Sequence, residues 1–167
     1  MNVLVFAPHP DDEVIGCGGS LIHHVKHGDN VTLAYITSGD AGDLQIDKNT
    51  LAKIREKEAH AAASILGVHS LEFLHLPDGY VEYNNKTLKI ITDLIRKLQP
   101  DIVYMPHRHD SHSDHVKTHE IVYQLYDEKK SVEAVVHSGI DVTLVKKIQK
   151  RVEENAFKHH LPLVPEE

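Results

Sequence analysis

Short apolar runs alternate along the chain with longer stretches in which apolar positions recur every three or four residues. The runs NVLVFA at 2–7, NVTLAYI at 30–36, HSLEFLHL at 69–76, DIVYMP at 101–106 and VEAVVH at 132–137 predict strands. The longer stretches predict helices near 16–27, 50–66, 86–98, 113–127 and 142–158. Gly28 and Gly67 stand where helices would stop, and Pro100 separates a helix from the following strand. Such alternation is expected when helices cover a mostly parallel sheet, giving an α/β three-layer sandwich. A chain of 167 residues is read as one domain over 1–167.

Two ionisable clusters interrupt this pattern. HPDDE at 9–13 follows strand one, and PHRHDSHSDH at 106–115 follows strand four. In parallel sheets, ligands sit beyond the carboxyl ends of the strands where strand order reverses. With strand order 3-2-1-4-5, strands one and four are neighbours and the clusters meet. His9 and Asp12 then offer a nitrogen and a carboxylate, and His115 a second imidazole, a set that suits zinc and leaves a position open. An open position lowers the pKa of bound water to about 7 and makes a nucleophile. Asp11 is the candidate general base, returning its proton to a departing amine. His112 is the candidate for stabilising a tetrahedral oxygen or sharing the acid role, and Asp114 the candidate partner that orients His112. Composition does not choose between His115 and His119, which share a helix face, and His107 and His109 also lie close in sequence.

The rest of the chain adds less. The single cysteine, Cys17, excludes an intrachain disulfide and a thiolate-rich metal site, and its apolar neighbours predict a packed thiol. The segment 38–50 reads as a loop, either an ordinary connection or a wall facing substrate. Arg55 and Glu56 are either solvated or directed toward substrate, with Arg55 anchoring an acyl or hydroxyl oxygen. Gly16, Gly18 and Gly19 match neither nucleotide-binding glycine pattern and are expected to permit close helix packing. With 18 lysines and arginines against 25 acidic residues, no broad nucleic-acid surface is expected. Absence of a long apolar segment predicts a cytoplasmic chain without membrane insertion.

PHPDDE at 8–13 and HSDH at 112–115, with IREKEAHAAASILGV at 54–68 between them, resemble the motifs of the LmbE-like or PIG-L-like zinc-dependent de-N-acetylases. The resemblance covers about residues 2–120 and implies a Rossmann-like fold and removal of an acetyl group from an amino sugar or glycoconjugate. Position by position it implies His9, Asp12 and His115 as ligands of Zn2+, Asp11 as the base, His112 as support for the tetrahedral intermediate and Asp114 as its orienter. It favours His115 over His119 and places Arg55 on the substrate side. Pro8 stands where the family commonly has alanine, a departure expected to be mild. Family members commonly run longer, and the segment 138–160 lacks their frequent H-x-S-Q ending, so no late substrate contacts are carried over. The other readings are an amidase for a different small N-acyl substrate and a non-enzymatic metal-binding domain; self-association as a homo-oligomer is left open.

Overall fold

Val3, Val5 and Ala7 of β1 (Asn2–Ala7) face one side of the sheet and Leu4 and Phe6 the other, as the two-residue period of a strand requires. The computed structural model describes residues 1–124. The chain continues through α1 (Asp12–Lys26), β2 (Asn30–Tyr35), α2 (Lys48–Leu66), β3 (Ser70–Phe73), α3 (Asn85–Leu98), β4 (Ile102–Tyr104) and α4 (Ser113–Gln124). The four strands are parallel in the order β3-β2-β1-β4. This agrees with the expected order as far as it is described; the strand at 132–137 and the helix at 142–158 lie outside the described residues.

The alternation divides the core in two. Leu4, Phe6, Ala34 and Ile36 pack with Leu88, Ile91 and Ile95 of α3 and Ile121 and Val122 of α4. On the other face Val3, Val5, Leu33 and Tyr35 meet Leu21 of α1 and Ala59, Ala63 and Leu66 of α2. Each fully buried aliphatic side chain contributes roughly 1.5–3 kcal/mol, so both layers hold the sheet. No described helix is long and apolar enough to cross a membrane.

What matters for function is the carboxyl end of this sheet. Pairing between β1 and β2 runs past both strands, with Ile36 N–H donating to Ala7 O (2.9 Å) and Thr37 N–H to Pro8 O (3.0 Å). The segment after β2 is thereby fixed beside the one after β1. At the front of α2, Asp47 accepts from the backbone N–H groups of Asn49 and Thr50, a cap worth about 1 kcal/mol.

Helix α1 starts at Asp12, four residues earlier than the periodicity predicts. Asp12 and Glu13 therefore occupy its first turn, where acidic side chains complement the helix dipole. The glycine expectation is corrected as well. A Cβ on Gly16 or Gly19 would meet nothing within 4 Å, and one on Gly18 only ordinary contacts at 3.8 Å. Close packing therefore does not explain the glycines. Cys17, where α1 kinks at φ −147°, is half-buried, and burial with the nearby Glu13 charge pushes its thiol up to about 11. It is a packed thiol.

Candidate metal centre and active site

His9 follows β1 after Pro8, and its backbone N–H donates to Asp12 Oδ2 (2.9 Å). His115 comes from the first turn of α4, which follows the loop after β4. Because β1 and β4 are neighbours, the two imidazoles face each other with ring centres 5.4 Å apart. Between them, Asp12 Oδ2 lies 3.3 Å from His9 Nδ1 and 3.2 Å from His115 Nε2.

The remaining ring nitrogens fix which atoms carry lone pairs. His9 Nε2 is 3.1 Å from both Asp78 Oδ1 and Asp114 Oδ2. Two carboxylates there place the proton on Nε2 and leave Nδ1 as the lone pair. His115 Nδ1 is 3.0 Å from Asp110 Oδ2, which leaves Nε2 as its lone pair by the same reasoning. Two imidazole nitrogens thus converge on one carboxylate oxygen, which also accepts the His9 backbone N–H, and nitrogen and carboxylate donors of this kind suit a divalent cation. Asp12 Oδ2 stands from each ring nitrogen at about the separation of two ligands on one zinc, roughly 3.3–3.4 Å.

The local electrostatics agree. Burial by itself lowers the His9 pKa, but hydrogen bonds to Asp12 and Asp114 and the Asp78 charge outweigh it and leave the value raised. Burial likewise opposes ionisation of Asp12, yet His9 and His115 hold its carboxyl below the ordinary range.

Among the described residues, two groups of three side chains bring ligand atoms within 4.8 Å of one another: His9, His112 and His115, and His9, Asp78 and Asp114. The second is a support for His9. Asp114 is fully buried and its oxygens accept from the amides of Gly79 (2.8 Å) and Val81 (3.2 Å), while Asp78 Oδ2 accepts from Ala41 N–H (2.7 Å).

His112 is exposed, with its ring edge-on to His9 at 4.7 Å. Its Nδ1 accepts the backbone N–H of Asp114 (3.2 Å), so the proton resides on Nε2. Asp114 was expected to orient His112 through its side chain. The structure turns that carboxylate to His9, and the link to His112 runs through the peptide. His119 spends Nδ1 on Pro106 O (2.9 Å) and stacks on Tyr123, away from both groups, and His107 and His109 are exposed.

Asp11 stands at the N-cap of α1 with φ 131° and ψ −28°, a conformation that costs a non-glycine residue roughly 1–3 kcal/mol. Its side chain is 55% exposed and accepts from Arg55 Nη2 (3.1 Å). The same guanidinium donates to Pro10 O (2.7 Å) and, through Nη1, to Gly39 O (3.2 Å). Arg55 therefore ties the segments after β1 and β2 together. Glycine is required at position 39, where φ is +65° and a Cβ would lie 2.1 Å from Arg55 Nη1. Gly39→Ala is expected to displace Arg55 and destabilise the fold by at least about 1 kcal/mol, measurable by urea unfolding.

Sequence reasoning missed Glu13, Asp78 and Asp110 as parts of this assembly. Asp110 sits inside the second histidine-rich cluster and Glu13 inside the first acidic one. Asp78 had only the turn LPDG as a signal, where Gly79 adopts φ +78°. A cavity of about 420 Å³ lies at the opposite, amino-terminal edge of the sheet, bordered by Asn2, Asn30, His69 and Ser70, and contains none of these groups.

Comparison with known proteins gives the site a family. The model of the family PIG-L, described as GlcNAc-PI de-N-acetylase, matches residues 4–126, which include every residue of the site. The chain belongs to the PIG-L family. This PIG-L chain is 36% identical over 119 residues to diacetylchitobiose deacetylase of Thermococcus kodakarensis, covering 68% of this chain and 45% of that protein. The chain spans less than half the length of that curated relative. Its fold resembles N,N'-diacetylchitobiose deacetylase from Pyrococcus horikoshii, with a TM-score of 0.71 and 25% identity over 96% of this chain and 71% of that one. It also resembles GalB, the 4-carboxy-2-hydroxymuconate hydratase of Pseudomonas putida, at TM-score 0.69 and 24% identity over 77% and 58% of the two chains. That last likeness concerns the fold alone, which carries more than one chemistry.

Proposed function

We propose that this PIG-L chain is a zinc-dependent de-N-acetylase that hydrolyses the N-acetyl group of an amino sugar or glycoconjugate, releasing acetate and a free amine. The observation that carries the reading is the convergence of His9 Nδ1 and His115 Nε2 on Asp12 Oδ2, with Asp11, next to Asp12 in the chain, keeping a half-exposed carboxylate held by Arg55. The GlcNAc in the family's description and the diacetylchitobiose in the names of the two deacetylases support the substrate class.

His9, Asp12 and His115 would hold the metal. Bound there, zinc supplies Lewis acidity, lowering the pKa of a water molecule to about 7 and polarising an amide carbonyl. Asp11 takes the proton from the attacking water and delivers it to the amine nitrogen as the C–N bond breaks. His112 donates its Nε2 proton to the oxygen that becomes negative, a role its backbone-fixed tautomer prepares. Asp78, Asp110 and Asp114 act through the imidazoles, holding each ring so that the required nitrogen faces inward. Arg55 holds Asp11 and the loop carrying Gly39 in register.

His112→Ala removes the oxyanion donor without touching a proposed zinc ligand. It is expected to lower kcat by about 10²- to 10³-fold with zinc content unchanged, as read by amine release and metal analysis on one preparation. The reading itself is tested by an amine-release assay of zinc-reconstituted and metal-stripped protein against N-acetylated sugars and small non-sugar amides. Metal-dependent release from the sugars supports it. Release confined to non-sugar amides assigns a different amidase, and no release from folded, zinc-loaded protein contradicts an enzymatic role.

A further inference from the structure

Glu13 is 1% exposed, although it lies in the first turn of a surface helix. A carboxylate is buried at such cost that its partners must account for it. Glu13 has two. Oε1 accepts from the hydroxyl of Tyr35 (2.8 Å), itself fully buried in β2 and stacked on Phe73. Oε2 accepts the backbone N–H of Asp11 (3.1 Å). Burial raises the Glu13 pKa, and the Tyr35 hydrogen bond opposes that shift.

The Asp11 amide is the significant partner, because Asp11 is the residue with the unfavourable φ of 131°. At the N-cap its N–H has no place in the helix ladder and is free to be held from the side. A hydrogen bond to that N–H holds the plane of the Pro10–Asp11 peptide against the helix that carries Glu13, and so restrains the Asp11 N–Cα bond lying between them and the direction of the side chain. Relaxation to an ordinary negative φ would swing the carboxylate away from Arg55. Arg55 grips the side chain and Glu13 the backbone, so the strained conformation is held at both ends.

We infer that Glu13, anchored by Tyr35, is a positioning residue that holds the Asp11 backbone in its positive-φ conformation and so aims the Asp11 carboxylate. The inference rests on the reading of Asp11 as the base, and it deepens that reading by giving the base a buried support. Packing alone would be served equally well by an apolar side chain of the same length.

The test compares zinc-loaded wild type with Glu13→Met and Glu13→Gln, measuring kcat, KM, zinc content and the exchange rate of the Asp11 amide by NMR. Glu13→Met is expected to lower kcat by about 10- to 100-fold, the scale of a misplaced catalytic group, with KM and zinc unchanged and the Asp11 amide exchanging faster. Glu13→Gln, whose side-chain carbonyl can still accept that N–H, restores most of the rate and the protection. Wild-type kcat in the methionine variant, zinc lost in step with activity, or glutamine no better than methionine would each overturn the inference. Should the methionine variant fail to fold, Tyr35→Phe replaces it, and an unchanged kcat and Asp11 amide there would overturn it equally. Wild type inactive on every substrate contradicts the deacetylase reading separately, and the amide measurement then decides whether Glu13 holds Asp11.

Discussion

Asp11→Asn is expected to reduce amine release by about 10²- to 10⁴-fold while the protein retains its zinc, the loss associated with removing a general base and acid. The two halves of this expectation come from different contacts. Asp11 accepts from Arg55 and stands outside the converging donors, so its charge is not needed to hold the metal. Asparagine preserves the size of the side chain and its ability to accept from Arg55, while losing the capacity to carry a proton between water and amine. The measurement is kcat and bound zinc on one sample. Loss of zinc together with activity would move Asp11 into the metal site, and an unchanged rate would remove it from the chemistry.

The second large effect belongs to the ligands. His115→Ala or Asp12→Ala is expected to abolish both stoichiometric zinc binding and activity, because each deletes one of the three proposed ligands. Thermal unfolding provides a readout without substrate. Zinc at a hundredfold excess over its Kd stabilises a folded protein by about 2.7 kcal/mol, so the wild type is expected to gain that much and either variant almost nothing. His119→Ala, at the position one helical turn away, is expected to bind zinc normally because its ring is engaged with Pro106 and Tyr123. A zinc-induced stabilisation that survives in His115→Ala would contradict this assignment.

Much of this arrangement was legible in the sequence. The apolar runs located all four described strands and the helices between them, since burial on both faces leaves a continuous apolar signature. The two clusters at the ends of strands one and four were visible for the same reason, as charge placed where apolar runs stop. The start of α1 was less legible, because acidic residues that begin a helix look like a loop until the dipole is considered. The second tier was hidden. Asp78, Asp110 and Glu13 act through contacts with His9, His115 and Asp11 that only folding creates. The direction of Asp114 was concealed too, for no spacing rule distinguishes a carboxylate turned toward the neighbouring His112 from one turned toward His9, far away in sequence.

The proposed deacetylase chemistry depends on a zinc held by His9, Asp12 and His115 together. It is tested most directly by anomalous diffraction at the zinc edge from crystals of the zinc-loaded chain. One strong peak is expected, bonded to His9 Nδ1, Asp12 Oδ2 and His115 Nε2, with Asp78 and Asp114 remaining on His9 Nε2. A peak seated instead on His9, Asp78 and Asp114, or no peak at the carboxyl end of the sheet, would contradict it.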